Sequence, residues 1–268
     1  MASIENSIRE LRLMDDLARG DSAVHHIHPL MLFLVTIAYS GLVSSFGRYA
    51  IVPVLPFVLY PVIIFAVSKT PVKPIFKRAL IVLPLILGIG LFAVIFDRSI
   101  VYFGSSVYYG GWFNFASLVL KYGLIVISAL LMMSTMGIDR LAYALRLIRI
   151  PKLIVLQILL TYRYISVIGE EIARTVRAYK LRSFGKKGIH KTAWGPLIGQ
   201  IILRTYERSQ NIYAAMLMRG FDGNYHPGAN IRMKFKDIAY LIFWIAFFVL
   251  ARIFDLPTLL GNAIAGVL

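Results

Sequence analysis

The sequence has no cysteine, so disulfide bridges, thiolate metal centres and cysteine nucleophiles are excluded from its chemistry. It also lacks a GxxxxGKS/T phosphate-binding loop, so any ATP used must be hydrolysed by another chain. Acids are scarce, 13 Asp and Glu against 29 Lys and Arg, for a net charge of +16. The long apolar runs carry hardly any charge: Lys121 near the beginning of one and Arg252 near the end of another, each placed to snorkel toward the interface. A secondary or proton-coupled carrier usually shows ionisable residues or paired broken helices at mid-membrane, and neither is present. Ser128 and Ser134 have no histidine or acid at helical spacing, which argues against an intramembrane hydrolase and leaves no catalytic residue to expect. The N-terminal stretch MASIENSIRELRLMDDLARGDSAVHHIHP has no short apolar core ending in a small-residue cleavage site, so the first span is expected to be inserted and kept.

Hydrophobic residues, by contrast, fill 59% of the 268 positions, well above the roughly 45–50% of soluble domains, and mark an integral membrane protein. Apolar runs near the ~20 residues that cross a bilayer lie at Pro29–Phe46, Ala50–Val67, Leu80–Phe96, Phe115–Met133 and Ile238–Phe254. Pro53, Pro56, Pro61 and Pro84 inside them predict kinks. A sixth run, Leu153–Gly169, carries Gln157 and Arg163 and leads directly into EEIARTVRAYKLRS, so it reads as a helix at the interface rather than a span. The expected fold is all-α, with five transmembrane helices and two long amphipathic cytoplasmic helices.

The bases fix an orientation. Eighteen Lys or Arg fall between Ser134 and Asp237 against six acids, giving +12 of the total charge, and only Arg48, Arg98, Lys121 and Arg252 lie outside the inner segments. The positive-inside rule then puts the N-terminus in the cytoplasm and the C-terminus outside. The chain divides into an N-terminal interfacial segment (1–28), four spans (29–133), a basic cytoplasmic region (134–237) and a final span with the outer C-terminus (238–268). Anionic membrane lipid attracts such basic stretches, at about 1 kcal/mol per cation near the surface. No helix-turn-helix, zinc-finger or RNA-binding signature accompanies the charge, so nucleic acid is not an expected partner.

Two helices organise the basic region. In the first, Ile154, Ile158, Thr161, Ile165, Ile168, Ile172, Val176 and Tyr179 recur at spacings of three and four, and the helix runs on to Arg182. In the second, Pro196 suits a start, Ile198, Ile202, Thr205, Ser209, Ile212 and Met216 continue a stripe, and Gly220 suits the terminating position. FGKKGIHKTAWGP between them reads as a turn. Each helix ends alike: Ala178, Arg182 and Ser183 in AYKLRSFG, and Ala215, Arg219 and Gly220 in AAMLMRGFDG. Alanine and arginine four apart share a face, so the small side chain admits a partner while the guanidinium projects beyond it into an acidic or carbonyl-lined groove. The plainer alternative is a cation favoured by the helix C-terminal dipole, worth about 0.3–1 kcal/mol, beside an ordinary glycine cap.

The paired Ala-x-x-x-Arg-Ser and Ala-x-x-x-Arg-Gly ends resemble the two signature motifs of the transmembrane T components of energy-coupling factor (ECF) transporters. The VHHIHP entry, four spans, the long cytoplasmic helical segment, the closing span and MRGFDG together resemble the cobalt-transport CbiQ type. The chain departs from the Asp-Pro-Arg that enters the first span in many members, with His28-Pro29-Leu30 in its place. The resemblance implies a scaffold in a prokaryotic cell membrane. Its arginine tips would sit in two ABC ATPases, and its stripe, Ile158, Ile165, Ile168, Ile172, Ile198, Ile202, Ile212 and Met216, would hold a substrate-binding S component. ATP and Mg²⁺ would sit on the ATPases, leaving this chain with no cofactor. Cobalt or nickel is the implied substrate, a vitamin-type importer the alternative. A solitary carrier, from a different class, would transport when reconstituted alone. His25, His26 and His28 cluster, but Pro29 spoils a helical i, i+3 ligand pair, so interfacial anchoring rather than metal binding is expected.

Overall fold

The computed structural model describes residues 17–96, 100–103, 106–183, 188–223 and 232–254, with the backbone alone at 100–103 and 106–108. The first sixteen residues and the expected outer C-terminus from 255 onward lie outside this range. The protein is helical, as the composition and periodicity predict, with one short antiparallel hairpin, Ile100–Phe103 (β1) against Ser106–Tyr109 (β2).

The helices are α1 (Pro29–Ser44), α2 (Leu59–Ser68), α3 (Val72–Phe96), α4 (Gly110–Leu147), α5 (Lys152–Arg182), α6 (Trp194–Met218) and α7 (Phe235–Ile253). A 3₁₀ segment, Val52–Val58, leads into α2. Pro56 inside it has no N–H to donate, and the tighter winding carries the chain past the prolines before α-helix resumes at Leu59. By length and composition α3, α4 and α5 are each sufficient to cross a membrane, and Pro29–Ser44 and Val52–Ser68 are shorter apolar segments. The protein is thus a multi-pass membrane protein. On α3 the exposed side chains Leu80, Ile81, Leu85, Phe92 and Phe96 form an apolar surface suited to lipid.

Helix α4 breaks its geometry at Gly137, where φ is 67° and ψ is 172°. Only glycine adopts that region readily, and a Cβ there would stand 2.9 Å from the Ala18 Cβ. The chain divides into two compact units at this residue and again after Ala229.

In the larger unit, Leu17–Gly137 with Asn230–Leu268, α1 and α7 run parallel and are joined at both ends. At their starts, the His28 backbone N–H donates to the buried Asp237 carboxylate at 2.9 Å. At their finishes, Arg252 Nη2 donates to the Ser45 carbonyl at 3.3 Å. Between these ties Tyr39, Phe57, Tyr60, Trp244 and Phe248 form a buried aromatic cluster, with Tyr60 edge-on to Trp244 at 4.8 Å and Tyr39 at 5.4 Å from Phe248. Lipid removes most of the hydrophobic driving force between helices, so such ring pairs, each worth about 0.5–1.5 kcal/mol, carry much of the cohesion.

Lys121 differs from its expected snorkelling. It is buried, and its ammonium donates to the Phe46 carbonyl at 3.2 Å and to the Gly47 carbonyl. The negative end of the α1 dipole faces these carbonyls, one of which, Gly47 O, also accepts the Ala50 N–H at 3.3 Å, so the cation is drawn inward rather than toward water.

The smaller unit contains the last part of α4 with α5 and α6. Its buried centre is Ala142, Val155 and Leu159, with Leu145 and Ile150 packed against them. The turn from α4 to α5 closes by a paired cap: Ile150 N–H to Leu145 O at 3.3 Å and Arg149 N–H to Arg146 O at 3.1 Å, with Arg149 itself left-handed at φ 68°.

Candidate functional site

The two helix ends singled out by the sequence are built differently. At the end of α6, Arg219 occupies the C-cap and Gly220 turns left-handed at φ 78°. The Gly220 N–H donates to Leu217 O at 2.9 Å and the Phe221 N–H to Met216 O at 3.0 Å, the bond pair of a Schellman cap. At the end of α5, Ser183 has φ −95° and donates its N–H to Tyr179 O at 3.0 Å, so the serine that follows this arginine is not left-handed. Serine suffices at one end and glycine is required at the other for that reason.

Ala178, Arg182, Ala215 and Arg219 are all exposed, and Ser183 is half-buried. Neither guanidinium makes a hydrogen bond or ion pair among the described residues. Each therefore ends its own helix as an open cation with a small residue one turn behind it.

The stripe is divided by the packing of α5 on α6. Ile158, Ile168, Ile172, Ile212 and Met216 are half-buried, whereas Ile165, Ile198 and Ile202 are about half exposed or more. The buried side chains of α5 lie off this stripe: Val155 and Leu159 where the helix meets the end of α4, with Leu156, Ala173 and Thr175. No residue of α6 is buried, and beyond the stripe it exposes Leu203, Tyr206, Tyr213 and Leu217. The sequence reading missed these four, although Ile198, Ile202 and Tyr206 already recur at four-residue spacing.

Charge holds the two helices in register. Arg204 on α6 donates through Nη1 to Glu171 Oε1 on α5 at 2.6 Å, and Arg174 approaches the other oxygen at 3.0 Å. Glu171 lies beyond the apolar run Leu153–Gly169. The hydrogen bond from Arg204 holds its carboxyl below the ordinary carboxylate range, with Arg174 and Arg208 adding in the same direction. The Tyr179 hydroxyl accepts the His190 N–H at 3.2 Å, fastening the far side of the connecting turn to α5.

The sequence profile of the CbiQ family, described as cobalt transport protein, matches residues 21–228, a span that includes both helix ends. The chain belongs to the CbiQ family. Three relatives are similar to it. An uncharacterized protein of Methanocaldococcus jannaschii, MJ1571, is 26% identical over 226 residues, covering 80% of this chain and 77% of the relative. A second from that organism, MJ1089, is 25% identical over 228 residues, covering 79% and 81%. The nickel permease LarQ of Lactiplantibacillus plantarum is 27% identical over 132 residues, 48% of each chain. CbiQ membership places the protein among membrane transport proteins rather than enzymes.

The CbiQ match begins just before the histidines, and each of them has a local role. A carbonyl only accepts, so His25 Nε2 carries the proton it gives to Leu17 O at 3.0 Å, and Nδ1 accepts from the Ser22 hydroxyl at 2.6 Å. His26 pairs with Asp21 at 2.7 Å on the surface. His28 is the N-cap of α1, its Nδ1 accepting the Leu30 N–H at 3.3 Å. Aspartate is a favoured N-cap acceptor too, so His28 can fill the position where the Asp-Pro-Arg entry carries one.

Proposed function

We infer that this CbiQ-family protein is the transmembrane T component of an ECF-type importer for cobalt or nickel ions. It would couple ATP hydrolysis by two partner ABC ATPases to movement of a separate S component. The observation that carries this reading is the pair of exposed, unengaged arginines at the ends of α5 and α6. Each has alanine one turn behind, and both lie inside the family match. Arginine stays charged, bonds carboxylates through a planar fork and packs its stem on apolar walls. The half-exposed apolar residues of the two helices are the surface offered to the S component, and ATP and Mg²⁺ reside on the ATPases.

The parallel run of α1 and α7 supports a cytoplasmic placement for α5 and α6. If both helices cross the bilayer in one direction, an odd number of crossings must separate them. The Val52–Ser68 segment, α3 and α4 supply three; a fourth through α5 would reverse α7. With the basic region inside, the N-terminus is cytoplasmic and the setting is a prokaryotic cell membrane.

The test is recovery of the ATPases with the tagged protein, together with ATP-driven metal uptake. Arg182→Glu or Arg219→Glu is expected to weaken association, since inverting one member of a buried charged contact commonly costs about 2–5 kcal/mol, and the double change to abolish it. Ala178→Leu and Ala215→Leu act by bulk in the same direction. Arg174→Ala, short of the tip and exposed, has little effect. Wild-type recovery of the ATPases by the double arginine variant sinks the docking role.

A further inference from the structure

Two cations from distant helices reach the corner where α1 ends, and a third follows it directly in sequence. Lys121, from α4, donates to the carbonyls of Phe46 and Gly47. Arg252, in the last turn of α7, donates to Ser45 O, reaches Ser45 Oγ at 3.5 Å, and lies 3.9 Å above the Phe46 ring. Arg48, the next residue along the corner, is exposed. Only four Lys or Arg of the whole chain fall outside the segments assigned to the inner side, and these are three of them.

Among the described residues, their partners leave the corner positive. The bonded carbonyls are neutral, and the C-terminal dipole of α1 offsets about half a charge. The described acids of this unit are Asp21 and Asp237; the first pairs with His26 ahead of α1, and the second sits at the start of α7, the opposite end. Lys121 is only 6% exposed, so water neutralises it poorly. Arg252 spends one nitrogen on Ser45, and a guanidinium offers five N–H donors. The corner also stands at the finish of a 16-residue helix, about 24 Å long, which places it at headgroup depth rather than mid-membrane.

We propose that the Arg48–Lys121–Arg252 corner is a phosphate-binding site for a membrane phospholipid. Arg48 and Arg252 supply the charged hydrogen bonds, and Lys121 supplies a buried field beneath them. The lipid supplies negative charge to the corner and fastens the ends of α1 and α7 to α4.

The full chain, delipidated in a neutral detergent, is titrated with dioleoyl phosphatidylglycerol, dioleoylglycerol or sodium phosphate, and thermal unfolding and lipid-bound mass are read. Phosphatidylglycerol is expected to raise the unfolding midpoint by about 2–4 °C, with no shift from dioleoylglycerol or sodium phosphate. Arg48→Gln with Arg252→Gln weakens phosphatidylglycerol binding at least about tenfold, the worth of one charged hydrogen bond, and removes the shift. Arg48→Gln alone, on an exposed side chain, reduces it without touching the Ser45 contact. Lys191→Gln, in the other unit, leaves it intact. An undiminished shift in the double variant, or in Arg48→Gln should the double variant fail to fold, overturns the site. An equal shift from sodium phosphate overturns the lipid assignment in favour of free phosphate.

Discussion

Asp237 accepts the backbone N–H of His28 at 2.9 Å, a bond between residues 209 positions apart. Its other oxygen accepts the Lys234 N–H at 2.8 Å, so one carboxylate starts α7 and fastens that start to the entry of α1. Asp237→Ala leaves two backbone donors without their acceptor and is expected to lower stability by about 2–4 kcal/mol. Thermal unfolding in detergent reads the change; an unaltered midpoint means the tie carries no weight.

His28 should tolerate substitution according to capping ability rather than metal affinity. His28→Asn keeps an acceptor for the Leu30 N–H and stays near wild type, while His28→Ala costs about 0.5–2 kcal/mol. His26→Gln, on the surface, leaves metal uptake within about twofold, the small effect usual for exposed pairs. Loss of uptake in His28→Asn with normal unfolding would instead mark a ligand.

Two of the left-handed helix ends, at Arg149 and at Gly220, predict opposite signs. Arg149 pays a steric cost at φ 68° that glycine escapes, so Arg149→Gly stabilises by about 0.5–1 kcal/mol. Gly220→Ala, at φ 78°, destabilises by about 1 kcal/mol although nothing lies within 4 Å of the added carbon. Equal signs for the pair would show that conformation does not govern these ends.

Reporters fused after Lys186 and after Leu268 should lie on opposite sides of the membrane, the first cytoplasmic, if five segments cross. Both fusion points lie outside the described residues. Finding both reporters on one side would make α5 a crossing helix.

The legible parts of this fold were those written in single helices. Periodicity alone carries α5 to Arg182, and Gly220 announces its own cap, because each signal lies within a few residues of the feature it specifies. Sequence placed α3 at Leu80, yet the helix begins at Val72, since Lys73, Lys77 and Arg78 are good helix formers that a hydropathy count discards. The hairpin was missed although IVYF and SVYY, on either side of the Gly-Ser pair in the sequence, are rich in β-branched and aromatic residues. Lys121 was misplaced for a different reason: its acceptors, Phe46 O and Gly47 O, are more than seventy positions away, and no local pattern reports a distant carbonyl. The two arginine ends were readable in the sequence, but the exposed Tyr213 and Leu217 on α6 became visible only in the structure.

The pairing of α1 with α7 also sets a clock for biogenesis. Helix α1 leaves the ribosome with the His28 N–H and the Ser45 carbonyl awaiting partners synthesised more than two hundred residues later. At ~5–20 residues per second, the 209 residues between His28 and Asp237 take about 10–40 s to translate. Throughout that interval α1 must be held by the insertion machinery or by provisional neighbours, and a chain truncated before Phe235 has no means of closing the bundle.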